Sequence, residues 1–516
     1  MKKIFWIPLL ALFAAACTPE FPPVFTISNN SLALEYNNKG ELSGQDLRLA
    51  SSYDWTASLQ GAAATYLQLS QNNGTAGTSS IQILPTDALN AALDAGTLPT
   101  PIGSVRFEAN GQTISCQVSF NNTMDGSQAN PILVFTSEGM KRIALGTPTK
   151  YYVLMADLVL ENWLPIGDNS SNSAATRFTG NFNGNGHTIT IKSFSTDIPS
   201  HGTFYYYGLF GYMSTTNSVV QSLRVHLSNT SISNDSEDAA AYIGGIAGIL
   251  LQSTIKNCAV TGELSIDWGR GIYTGGLVGN INTAGKIEYC YSTVNIDAEA
   301  GGSADSNFVG GIVGISSSSS SLSQVYATGN ITLSTSHFRN YIGGIVGNNG
   351  PGCTLENAYA TGDVTATGGY MTYVGGIAGS NGTTSGSKSI ARNSYATGKI
   401  TSSYYAGGIV GNNSGTGEVI SCVALNSELS GDDGYRVAAS NSGALTNHYG
   451  RTGMTGARTN GSDALLFNGT DCDAQPTQEW WKAAATWAGG SVWNFNTIWE
   501  FKDGYPKLRN MPVFKN

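Results

Sequence analysis

One pattern limits what this 516-residue chain can fold into: a motif of an aromatic residue, a spacer, two glycines, Ile or Leu, a spacer and a further glycine. It reads Tyr242-Ile243-Gly244-Gly245-Ile246-Ala247-Gly248 and recurs from Tyr273, Phe308, Tyr341, Tyr373 and Tyr405, with a degenerate first copy at Tyr207-Gly208-Leu209-Phe210-Gly211. Counted from the glycine before Ile or Leu (208, 245, 276, 311, 344, 376, 408), the spacings are 37, 31, 35, 33, 32 and 32 residues. A period of about 20 to 50 residues marks a solenoid or array, because each unit can bury its apolar side only against its neighbours. The second half of the repeat aligns too, as Asn357-Ala358-Tyr359-Ala360-Thr361-Gly362 and Asn393-Ser394-Tyr395-Ala396-Thr397-Gly398, with equivalents beginning at Asn257, Tyr289, Gln324 and Ser421. Neither half holds a helical period for ten residues, so helices are excluded there and two short β-segments per repeat are expected. Such strands stack in parallel, about 4.8 Å per coil, into a β-helix. Gly245, Gly276, Gly311, Gly344, Gly376 and Gly408 are read as structural, standing where a corner or a close backbone approach leaves no room for Cβ.

Composition agrees with an all-β chain. Charged residues are 12%, about half of the roughly 25% usual in soluble proteins. Aromatics at 10% and 64 glycines exclude a charged disordered chain. The net charge is −9, and −11 once Lys2 and Lys3 leave with a cleaved leader; such a surface repels phosphate backbones, so no nucleic-acid partner is expected.

Met1-Lys2-Lys3 followed by the apolar run from Ile4 to Ala16 has the form of an export signal. Its thirteen residues are too few for a bilayer span, which takes about twenty. Phe13-Ala14-Ala15-Ala16-Cys17 resembles the lipobox of bacterial lipoproteins. That resemblance implies a signal peptide over 1–16, lipidation of Cys17, a linker over 17–23, and a membrane partner reached through the acyl chains. An outer-membrane lipoprotein at the cell surface is the expected location.

Residues 24–125 carry eight short candidate strands: Val24–Ile27, Ala33–Tyr36, Asp46–Ala50, Trp55–Leu59, Tyr66–Ser70, Ser80–Leu84, Gly103–Ala109 and Thr113–Phe120. The Asn110-Gly111 pair between the last two is a hairpin signal. This number of strands in about a hundred residues predicts an immunoglobulin-like β-sandwich. Asp54-Trp55, the Asn72-Asn73-Gly74-Thr75 turn and the closing Gly111–Val118 segment resemble the BACON domain, from which the insertion Pro85–Pro101 departs. Trp55 has two readings: packed between the sheets, the commoner place for such a ring, or stacked on a sugar.

From about residue 130, Trp163-Leu164-Pro165-Ile166-Gly167, Gly184-Asn185-Gly186-His187, the repeats and the ending Trp499–Leu508 resemble the GLUG family. The resemblance implies an adhesin-like bacterial surface protein with a right-handed parallel β-helix, and the repeat is also found in relatives of immunoglobulin-A peptidases. The expected layout is first coils or a cap over 126–200, repeats over 201–450, and a C-terminal cap over 451–516 closing the last coil.

Catalytic patterns are missing from the sequence. The histidines, at 187, 201, 226, 337 and 448, form no HExxH, and neither a Gly-x-Ser-x-Gly nor a CxxC pattern occurs. Asp267, Asp297, Asp363 and Glu263 fall near coil ends, and Lys399 takes the place of Asp363 in a neighbouring copy, which suits solvated loops better than an acid–base pair. His187 is read as a turn-bonding residue. The sequence therefore predicts no cofactor, no metal, no catalytic residue and no enzymatic activity. The expected role is a binding module for a host or matrix glycan or surface protein. The alternatives are a carbohydrate-active β-helix enzyme or its accessory subunit, and a structural spacer. The candidate contacts are Trp55 and the column Tyr242, Tyr273, Phe308, Tyr341, Tyr373 and Tyr405. The column shares parity with Ile246 and its equivalents, so inward packing is preferred to an external sugar-binding ladder. Cys258, Cys290 and Cys422 align with Val325, Ala358 and Ser394 as an interior column, where buried thiols are preferred to a disulfide between Cys258 and Cys290 on neighbouring coils.

Overall fold

A computed structural model describes residues 22–36, 42–121, 124–145, 149–167, 176–235, 237–301, 306–456, 467–483 and 493–514. The leader and Cys17 lie outside the described residues, as does the segment Asn37-Asn38-Lys39-Gly40, which the sequence marks as a turn. The chain divides into two compact units, with the boundary after residue 121.

The first unit is a sandwich-like pair of sheets. Phe25–Ile27, Asp46–Ser51, Gly77–Pro85 and Leu67–Leu69 form one; Leu42–Ser43, Ser31–Tyr36, Gln112–Phe120, Gly103–Ala109, Trp55–Gly61 and Asn73–Gly74 form the other. All eight expected strands are present. Alternation supplies the core: Leu34, Leu47, Leu49, Ile81, Ile83, Val105, Phe107 and Val118 are fully buried while their neighbours face out. The insertion holds a helix, Asp87–Ala95, that buries Leu89 and Ala92. Its Ala- and Leu-rich run favours a helix, and Asp87 suits the first turn.

The second unit is a parallel β-helix. One coil shows the plan: Arg339–Gly343, then the Gly343-Gly344 corner, Val346–Asn349, a turn, and the strands Thr354–Ala360 and Val364–Gly368. Each coil thus supplies four segments where sequence suggested two, because the glycine corner splits the first and the Thr-Gly step splits the second. The first two segments of successive coils build two eight-stranded parallel sheets, and the last two belong to a 23-stranded sheet. Register is strict: Tyr341 pairs with Tyr373, Val346 with Ala378, Leu355 with Ala391, Ala358 with Ser394 and Val364 with Ile400. Ile342, Ile345, Val346, Leu355, Ala358, Val364 and Ala366 fill the coil interior. Helix Ser137–Leu145, which the sequence reading missed, adds Met140 and Ile143 to the same core.

The repeat glycines are required by contact. None of the six has a positive φ. A Cβ on Gly344 would overlap the carbonyl oxygen of Gly376 on the next coil and stand 2.7 Å from Ala360 Cβ across the interior. Val260, Ser292, Ala327, Ala360, Ala396 and Ala424 oppose the six glycines in turn, so the solenoid is pinched there. Positive φ falls elsewhere, on Asn257, Tyr289, Gln324, Asn357, Asn393 and Ser421, all at 51 to 53°. These are the residues that open the second half-repeat. Asn tolerates this left-handed region best among residues with a side chain. The bulge lets both Leu355 and Ala358 point inward.

Buried polar side chains run along the stack. Asn349, Asn381, Asn413 and Asn441 form a ladder in which each amide donates to the next Oδ1 at 2.8 to 2.9 Å. The same amides reach the carbonyls of Ile390, Glu418 and Ala444 at 3.2 to 3.3 Å, so both N–H groups are used. The thiol column lies where expected: Cys290 pairs with Val325, and the Cys258 N–H donates to Cys290 Sγ at 3.4 Å. The six described cysteines are reduced and buried, and burial pushes the Cys422 thiol up to about 12.

Candidate functional site: an aromatic stripe outside the coils

On the strand Arg339–Gly343 the side chains of Asn340 and Ile342 point inward and are fully buried, so Arg339 and Tyr341 point out. The same holds for Tyr273, Phe308, Tyr373 and Tyr405, all half-buried. Inward packing of this column is therefore corrected. Parity counted from Ile345 or Ile246 fails because the Gly-Gly corner restarts the alternation: Ile342 and Ile345 both face the core three residues apart.

The outward rings stack along the axis. Tyr273, Phe308, Tyr341, Tyr373 and Tyr405 follow one another at centroid distances of 4.6 to 5.4 Å, with planes 7 to 20° apart. Tyr242, 9% exposed, stacks on Tyr206 and lies 4.6 Å from Tyr273 in an apolar cluster separate from the core. Each ring covers part of its neighbour's face, so the column presents mainly edges and hydroxyls. Burial raises the phenol pKa of Tyr341, against the opposing pull of Arg339, and raises that of Tyr373.

A second, more open column stands beside it. Phe338 is 51% and Tyr370 60% exposed, and they stack at 5.2 Å and 17°. Tyr404 follows at 5.7 Å, tilted by 52°. Buried amides hold the turns that display these rings. Asn307 donates to Asn340 Oδ1 at 2.9 Å, and Asn340 donates to the His337 carbonyl at 3.0 Å and to Thr372 Oγ1 at 3.1 Å. Thr372 in turn donates to the Gly368 carbonyl at 2.9 Å. Sequence reasoning missed this column, although Phe338 and Tyr370 each stand three residues before the aromatic of the repeat.

The other candidates are distributed as follows. Trp55 is 2% exposed, edge-on to Phe107 at 6.0 Å, and belongs to the sandwich core; it offers no face to a sugar. His187 Nδ1 lies 3.0 Å from Asp157 Oδ1, which also accepts the Thr188 N–H at 2.8 Å, tying two coils together. Burial opposes ionisation of the Asp157 carboxyl, but these bonds hold it below its ordinary range. Among the described residues no side-chain hydroxyl or thiol is hydrogen-bonded to His187. Asp363 accepts the Lys399 N–H at 2.8 Å, a contact between coils. Asp297 and Asp267 face outward beside Ser265 and Glu299 of adjacent coils. Among the described residues no three His, Cys, Asp or Glu side chains gather in a way that could hold a metal.

A third column, Tyr291, Tyr326, Tyr359 and Tyr395, stacks at 4.8 to 5.3 Å on the long sheet. Part of it is covered. Among the described residues of the C-terminal region, Thr470–Cys472 extends the stack as a strand, pairing with Tyr449–Arg451, and Thr455 bridges Glu428 in parallel. Beyond it the chain returns along the flank. Trp481, Trp493 and Trp499 pack on Tyr395, whose hydroxyl donates to the Pro506 carbonyl at 2.7 Å. Among its described residues, the region expected to close the last coil is in large part a strap along the side of earlier ones.

Comparison with known proteins gives a short list. No curated protein matches the chain. A crystal structure from Bacteroides ovatus, described as a candidate immunoglobulin A1 protease, aligns at 17% identity over 74% of this chain and 94% of its own, with a TM-score of 0.44. A structure described as IgA1 protease aligns at 13% identity over 82% of this chain but only 29% of its own, with a TM-score of 0.30. These descriptions overturn the expectation of a chain without enzymatic activity, which is withdrawn; likeness at this level assigns no activity either. The family model that matches is the GLUG motif, at residues 239–266 and 339–365, each a Gly-Gly corner with the strands on either side of it.

Proposed function

We propose that the chain is a lipid-anchored binding module of the bacterial outer membrane that holds a glycan or a protein of a host or matrix surface through the aromatic stripe. The observation that carries this reading is the exposure of Phe338 and Tyr370 beside Tyr341, Tyr373 and exposed Arg339. Large apolar side chains gathered on one rigid face mark an interaction surface, and aromatic residues with Arg are the types enriched at such surfaces. The sheet beneath and the buried amides that hold its turns fix the rings before binding, so little ordering cost remains. The anchor is proposed on the lipobox-like segment ending at Cys17.

Two expected results test this reading. Replacing Phe338 and Tyr370 together by Ser should lower retention on mucin- or cell-coated surfaces by at least roughly tenfold, the loss of two exposed aromatic anchors, with no change in thermal unfolding. Retention equal to wild type would leave the alternative of a spacer. Cys17→Ala should move the protein from the membrane fraction to the soluble periplasm, since the apolar segment alone is too short to span; unchanged partitioning would end the lipoprotein reading. The descriptions of the two solved structures add one assay: incubation with immunoglobulin A1 followed by electrophoresis reads peptidase activity directly.

A further inference from the structure

A polar groove lies on the outside of the first coils, on the 23-stranded sheet and not on the eight-stranded sheet that carries the aromatic stripe. Its floor is formed by Tyr151–Leu154, Asn181–Asn183, Val219–Gln221 and Thr254–Lys256. In that register Val153, Asn183, Gln221 and Lys256 make one outward column, and Tyr151 and Asn181 begin the one beside it. Gln128 lines it as well, and its volume is about 630 Å³, inside the range of about 300–1,000 Å³ typical of small-molecule sites.

The lining chemistry is specific. Asn181, Asn183, Gln221 and Lys256 are half-buried. Among the described residues, Asn183 alone of these side chains is engaged, its carbonyl accepting the Asn185 N–H at 2.9 Å. Primary amides both donate and accept, as sugar hydroxyls do, while Tyr151 supplies a flat apolar surface. Steps along the column are one strand spacing, about 4.8 Å, close to the length of one sugar unit. Among the described residues lining the groove, Lys256 is the one that is charged. Glu288 follows it one coil on, outside the lining.

We propose that this groove binds a short acidic oligosaccharide along the coil axis, hydroxyls on Asn181, Asn183 and Gln221 and a carboxylate on Lys256. The inference rests on the proposed binding role for its ligand class and uses no residue of the aromatic stripe. Calorimetric titration of the full chain with 3′-sialyllactose, trigalacturonate and neutral lactose tests it. At least one acidic trisaccharide should bind, more tightly than lactose. Lys256→Gln should weaken that binding roughly tenfold and remove the preference for the acidic ligand, because a charge-assisted hydrogen bond is lost. Gln221→Ala should weaken binding while keeping the preference. Both side chains lie on the surface, so an unchanged thermal midpoint checks that each variant is folded. The Phe338 and Tyr370 variants should bind like wild type, so failure of the stripe and failure of the groove read out separately. No binding of either acidic trisaccharide at millimolar concentration, or binding that Lys256→Gln leaves unchanged, overturns the proposal.

Discussion

Gly344→Val is expected to unfold the solenoid around its own coil while Thr354→Val, ten residues on in the same coil, leaves it intact. A Cβ at 344 would overlap the Gly376 carbonyl and crowd Ala360. Neither can move alone, since the Gly344 and Gly376 N–H groups bond to Gly375 and Gly407 of the following coils. Forcing a branched side chain into such a contact costs at least about 3 kcal/mol. Thr354 begins an outer strand and is half-buried, so a Val of the same shape should change stability by only about 0.5 kcal/mol. Solenoid coils contact only their neighbours, so the damage should stay close to its origin. Hydrogen exchange should show lost protection in the coils on either side of residue 344, with 46–120 unaffected. Equal, small effects of the two substitutions would mean that the pinch is not real.

The second large effect is expected at Trp499. It is fully buried, lies 4.8 Å from Trp493 and 6.3 Å from Tyr395, and its indole N–H donates to Asn357 Oδ1 at 3.4 Å. Trp499→Ala should cost about 3–5 kcal/mol, but locally: the strap segments 477–483 and 493–508 should come away and leave the coils folded. Limited proteolysis should then cut within the strap while the repeats survive. Unaltered resistance would show that Trp481 and Trp493 suffice. Alkali should act in the same direction on the wild type. Burial holds the Tyr395 phenol well above its ordinary value, so the docked state keeps it protonated. A raised folded pKa gives stability that is fully present below the unfolded value, about 10, and lost as pH rises beyond it. Protease sensitivity of the strap should therefore increase above that pH.

Much of the β-helix was legible because its period is covalent. Thirty-odd residues make one coil, and in-register parallel stacking puts like on like, so the columns could be listed from the text alone: the glycines, the thiols with Val325 and Ala358, and the Asn-Ala-Tyr-Ala segment. The meaning of some columns was less visible. The recurring Asn257, Asn357 and Asn393 were a marker until their φ near 52° showed a left-handed bulge. The Val-Gly-Asn-Asn at 346–349 and 410–413 gave no hint by itself that its second Asn is interior. A buried amide looks like a surface one until the neighbouring amide and carbonyl that satisfy it are in place.

Local sequence determined which residues pair with which: strand identity, coil length, and the need for a missing Cβ at Gly344 are consequences of backbone chemistry and repetition. Only the tertiary structure decided which side of the wall each residue meets. The glycine corner restarts the in–out alternation, so Tyr341 stands outside where parity placed it inside. The strap, whose Pro506 carbonyl lies 111 residues beyond Tyr395, buries Tyr395 and leaves Tyr370 open. Alternation is a property of an uninterrupted strand, whereas exposure depends on every segment that returns to cover it.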